Sequence, residues 1–168
     1  MSLAQPTEID CLSVDKIYGL KTKSVLLNGA SSAPILCTSL TSVTCGTPIC
    51  AYLGAIIEPD NQNTLSWLVT VPVQVVCQSG STSTVNAQAQ VVATICNPPG
   101  TSPSCSLLNV KCSAGIEAGI IYATVSATAV LTTSARVKLL IPSYGLCQPA
   151  ACEQLTPPCP PPFPAQCA

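Results

Sequence analysis

Ser81-Thr82-Ser83-Thr84-Val85-Asn86-Ala87-Gln88-Ala89-Gln90-Val91-Val92-Ala93-Thr94-Ile95 is the stretch whose pattern decides the fold. The odd positions Val85, Ala87, Ala89, Val91, Ala93 and Ile95 are apolar, whereas Thr82, Thr84, Asn86, Gln88, Gln90 and Thr94 are polar. A period of two sends alternate side chains to opposite faces, so this stretch predicts one long, half-buried strand. The run before it places Trp67, Val69, Val71, Val73, Val75 and Cys77 on a single face. Pro72 inside that run lacks an N–H and points to an edge strand or a bulge. Between the two runs, Cys77-Gln78-Ser79-Gly80-Ser81 supplies a Gly-containing hairpin turn.

A third alternating run, 120–131, turns Ile121, Ala123, Val125, Ala127, Ala129 and Leu131 inward. Thr132-Thr133-Ser134 is expected to bend it before Val137, Leu139 and Ile141. Shorter strand candidates are Leu12–Tyr18, Lys21–Asn28, Ile35–Val43, Ile49–Ile57 and Ser106–Cys112. Breakers separate them at Asn28-Gly29, Cys45-Gly46-Thr47-Pro48, Pro59-Asp60-Asn61 and Asn97-Pro98-Pro99-Gly100. About eight to ten strands with short turns and no helical pattern predict an all-β fold, a β-sandwich of jelly-roll-like type. The expected organisation is an extended N-terminal connector arm over 1–11, a β-sandwich domain over 12–146 and a Pro/Cys-rich tail over 147–168. The tail, with Pro157, Pro158, Pro160, Pro161, Pro162 and Pro164, suits extended polyproline-like chain.

Composition removes most chemistries. Of 168 residues, 12 are Cys and none is His, while charged residues make up 8% and the net charge is −1. Without His the common nucleophilic triads are excluded, and the seven acidic residues are scattered rather than paired. A distant pairing such as Asp15 with Glu117 stays open at the level of sequence. Taken together, the residues point to no catalytic site and no cofactor. The closest cysteine pairs, Cys45–Cys50 and Cys147–Cys152, lack the spacing of zinc sites, so no metal is expected. No basic stripe suggests nucleic acid, and no apolar run reaches the ~20 residues of a membrane span.

Cysteine at this density points to disulfides and an oxidising, extracellular location. The N-terminus carries no Lys, Arg or apolar run of a secretory signal. Either a leader has been removed or the protein leaves the cell unconventionally, as when a mother cell lyses around its spore. Cys37, Cys45, Cys50, Cys77, Cys96, Cys105, Cys112, Cys147 and Cys152 are expected to bridge within the chain, with connectivity open. Cys11, Cys159 and Cys167 lie outside the sandwich and are candidates for intermolecular bridges. No charge interrupts the stretch between Asp60 and Lys111, so the usual protection of strand edges against pairing is missing there. Self-association is therefore expected: a homopolymer formed by head-to-tail β-augmentation with interchain disulfides.

Two segments carry a family resemblance. Cys11-Leu12-Ser13-Val14-Asp15-Lys16-Ile17-Tyr18 resembles the opening of cysteine-rich domains in spore-forming Firmicutes. Ile141-Pro142-Ser143-Tyr144-Gly145-Leu146-Cys147-Gln148-Pro149-Ala150-Ala151-Cys152-Glu153 resembles their Pro/Cys-rich ends. The plan of a short Cys-bearing arm followed by a β-sandwich is similar to that of endospore appendage pilins. The resemblance implies an extracellular fibre on a spore or cell surface, with Cys11 as the connector cysteine. This chain has one arm cysteine rather than an adjacent pair. The alternatives are a monomeric secreted binding module with internal bridges, or a spore-coat lattice protein.

Overall fold

A computed structural model describes the backbone of residues 8–143 and the side chains of residues 12–139. The described chain is all β: β1 (Glu8–Ala30), β2 (Leu40–Cys45), β3 (Ile49–Ile56), β4 (Gln62–Cys77), β5 (Thr82–Cys96), β6 (Ser102–Glu117) and β7 (Ile120–Ser143). They form one antiparallel sheet in the order β2-β4-β5-β1-β7-β6, with β3 also paired to β4.

The alternating runs form the predicted strands. Leu65, Trp67, Val69, Val71, Val73 and Val75 of β4 meet Val85, Ala87, Val91, Ala93 and Ile95 of β5 in one core. Leu27 of β1 and Ile121, Ala123, Val125, Ala129 and Leu131 of β7 close that core from the other side. The expected turn after Cys77 is present: Gly80 takes φ 83° and donates to the Cys77 carbonyl at 2.8 Å. At the β6–β7 turn, Ala118 and Gly119 both have positive φ, as a two-residue hairpin of matching twist requires.

Several boundaries differ from expectation, each for a local reason. Leu12–Tyr18 and Lys21–Asn28 form one strand that runs through the supposed breaker at Asn28-Gly29. The glycines there serve close packing. A Cβ on Gly29 would lie 2.2 Å from the Asn86 carbonyl oxygen, and one on Gly19 would lie 2.3 Å from Ile95 Cγ2. β1 begins at Glu8, so the expected arm boundary at residue 11 falls inside a strand. β7 runs on past Thr132-Thr133-Ser134 as one strand, and its ladder with β1 shifts register there, between Ile17 and Gly19. Residues 35–39 precede β2 rather than belonging to it.

Pro72 does not mark an edge. β4 pairs with β5 on one side and with both β2 and β3 on the other. β2 covers Val73–Cys77 and β3 covers Thr64–Thr70, so Pro72 falls in the gap between them. Its carbonyl accepts the Gly46 N–H at 2.7 Å, and no partner strand needs the N–H it lacks.

Candidate functional site

Two features outside the core set this molecule apart. One is a seam between the sheet's edges. The other is a ribbon that projects past the body.

The strand order ends on β2/β3 at one side and on β6 at the other, and among the described residues no backbone ladder joins them. The sheet curls until these edges meet, and disulfides link them instead. Cys45 at the end of β2 bonds to Cys112, and Cys50 in β3 bonds to Cys105, with Cα–Cα distances of 5.7 and 5.8 Å. All four cysteines pack against the core. Strict alternation would put Cys105 and Cys112, an odd number of residues apart, on opposite faces. A bulge between Leu108 and Lys111, with Asn109 at φ 53°, resets the phase so that both face inward. On the opposing edge, the break at Gly46-Thr47-Pro48 does the same for Cys45 and Cys50.

A third bridge, Cys37–Cys77, ties the β1–β2 connection to the β4–β5 turn. Ile35 donates to the Gly119 carbonyl at 2.8 Å and Gln78 to the Ser39 carbonyl at 3.0 Å, so this connection closes one end of the body. Cys96 is also disulfide-bonded. Cysteine connectivity was left open by the sequence; six of the cysteines expected to bridge internally pair in these three bonds. Cys147, Cys152, Cys159 and Cys167, and the side chain of Cys11, lie outside the described residues. The Cys11 backbone is paired with Leu140 of β7.

At the opposite end, Asn63 is 2% exposed and joins two loops. Its Oδ1 accepts the Glu58 N–H at 2.8 Å and its Nδ2 donates to the Asn97 carbonyl at 3.0 Å. Thr133, also buried, donates to the Cys96 carbonyl at 2.5 Å. From this end the ribbon leaves the body: β1 up to Ile17 pairs with β7 beyond Ser134, where β6 has already ended at Ser102.

Charge collects on and beside the ribbon. Asp15 faces Arg136 at 3.3 Å with both side chains exposed, and Lys16 lies over the Tyr18 ring at 5.0 Å. Where β1 and β5 part, Lys21 and Lys23 reach the Thr94 and Val92 carbonyls at 3.4 and 3.1 Å. Asp15 and Glu117 are not brought together. Asp15 sits opposite Arg136 and Glu117 opposite Ile120, which along β7 is roughly 50 Å. The charge-free strand β4 is laddered on both sides, so the missing edge protection does not describe an edge there; β5 beyond Gln88 has no ladder with β1, and the charge beside it comes from Lys21 and Lys23.

The outer surface of the body is apolar in places: Ile49, Leu53 and Ile56 on β3 are 58%, 54% and 63% exposed, and Val92 on β5 is 40% exposed. Val92 lies opposite Ser66, which follows Gly54 of β3 across the sheet. No charged residue lies on these three strands. Among the described residues no helix is long and apolar enough to cross a membrane. Compared with known proteins, the chain matches no family model, no curated protein and no solved structure.

Proposed function

We propose that this protein is a structural subunit that self-assembles into a disulfide-cross-linked extracellular fibre on a bacterial endospore. The observation that carries the reading is the set of exposed apolar side chains Ile49, Leu53 and Ile56 on β3 and Val92 on β5, with no charged residue on these strands or on β4 between them. Apolar side chains gathered on adjacent strands without a charge between them favour burial against another protein. The net charge of −1 leaves little long-range repulsion to oppose that contact. Three disulfides fit an oxidising, extracellular setting, where durability rather than turnover is the useful property. The curled sheet with its two edges brought together supports the sandwich, jelly-roll-like description.

A monomeric secreted binding module is the rival, favoured by the fact that all seven cysteines with described side chains are disulfide-bonded. Gels with and without reductant, paired with electron microscopy of the same sample, separate the two. The fibre reading expects a ladder without reductant, and filaments. A single monomer band without reductant, and no filaments, overturns it. Cys11→Ser is expected to remove the covalent links made through Cys11 while leaving docking in place.

A further inference from the structure

The β2/β3 edge and the β6 edge face one another as a complementary antiparallel pair. Moving along from Cys45 to Cys50 on one is matched by moving back from Cys112 to Cys105 on the other. Cα–Cα distances of 5.7 and 5.8 Å leave no room for an intervening strand, which would hold the two edges roughly 9.5 Å apart. A disulfide cannot span that gap without backbone movement. The oxidised seam is therefore shut to any inserted strand.

Before oxidation nothing of the kind holds. The sheet is then two halves, β2/β3-β4-β5 and β1-β7-β6, joined along β1 and β5, whose ladder carries the single register pair Asn28↔Gln88. We infer that the seam is an exchangeable interface whose partner is a second copy of this chain. The β6 edge of one copy meets the β2/β3 edge of the next, and Cys45–Cys112 and Cys50–Cys105 form between chains rather than within one. The contacts are those of the closed subunit, so the exchange costs little beyond association entropy, as in domain swapping. Because the two edges differ, the contact is heterologous and repeats from copy to copy, giving a filament when the rotation does not close a ring. Each bridge converts two thiols to a disulfide, releasing two protons and two electrons to a disulfide oxidant such as oxidised glutathione, which becomes two thiols. Once formed, the bridges trap whichever arrangement was present. This deepens the self-assembly reading and rests on it.

The test mixes 14N- and 15N-labelled chains in the reduced state and oxidises them with a glutathione couple, in dilute and in concentrated solution. Bridged peptides from a broad-specificity digest are then weighed. Mixed-isotope bridges joining Cys45 or Cys50 peptides to Cys105 or Cys112 peptides are expected in the concentrated sample, absent from the dilute one, and retained in Cys11→Ser. Oligomers whose mixed bridges exclude these four cysteines overturn the inference and leave self-assembly standing. No oligomer at either concentration overturns both.

Discussion

Removing the seam bridges one at a time and then together tests whether they close a single gap. In the chain-entropy treatment a disulfide stabilises by restricting the unfolded chain, more so for a longer closed loop. Cys45–Cys112 spans 67 residues and Cys50–Cys105 spans 55, and either bridge acting alone is worth about 4 kcal/mol. Together they are not worth the sum. With Cys50–Cys105 closed, the chain from Cys45 runs to Cys50, crosses the bridge and returns from Cys105 to Cys112. The remaining loop is about a dozen residues, worth about 3 kcal/mol. Cys45→Ala/Cys112→Ala should therefore cost about 3 kcal/mol, and the quadruple variant about 7 kcal/mol, a large part of the ~5–15 kcal/mol that holds a domain folded. Urea unfolding without reductant, followed by Trp67 fluorescence, measures both. A quadruple variant no less stable than the double variant would refute the reasoning, because the second bridge would then be closing nothing.

Gly19→Ala and Gly29→Ala should each destabilise by about 2 kcal/mol or more, since the new methyl meets Ile95 and the Cys96 carbonyl, or the Asn86 carbonyl, at overlapping distance; thermal unfolding reads the loss. Asn63→Ala should cost about 2–3 kcal/mol by stranding the Glu58 N–H and the Asn97 carbonyl, with faster hydrogen exchange at Glu58 as the local signature. Deleting Asn109 should remove the bulge and leave the cysteines now at 105 and 112 six positions apart, an even spacing that strict alternation keeps on one face, so both seam bridges should still form. Thiol titration of the oxidised protein should then show no free cysteine from either bridge, and a free pair would refute the account of the bulge as a phase reset.

What the sequence made legible was whatever a period of two controls. β4, β5 and the first half of β7 follow from alternation, and so do their inward residues, because a strand buried on one face admits one phase. β1 was not legible as one strand, since Gly19 and the Asn28-Gly29 pair look like punctuation in one dimension. Only in three dimensions does a missing Cβ become the space into which β5 packs. Cysteine connectivity was hidden for a related reason. Cys105 and Cys112 lie on opposite phases of any ideal strand, and the bulge that aligns them at Asn109 has no strong local signal. The seam was thus invisible until the edges met.

Where the charges lie alters the physical case for assembly. An uncharged stretch of fifty residues reads as strands left open to neighbours, yet β4 is laddered on both sides and β5 is laddered along one side and meets β1 on the other at Asn28↔Gln88. The ribbon's edges are unladdered too, and there Asp15, Lys16, Arg136 and Lys138 recur, whereas the uncharged β2/β3 edge is closed against β6 by the seam bridges. Charge on the ribbon discourages indiscriminate strand pairing there. Besides any link through Cys11, two routes to association remain: the apolar outer face around Ile49, Leu53, Ile56 and Val92, or the seam before its bridges form. The two routes leave different traces. Face-to-face packing should survive reduction of a finished fibre, whereas an exchanged seam would lose its covalent links on reduction and keep only its packing and edge contacts.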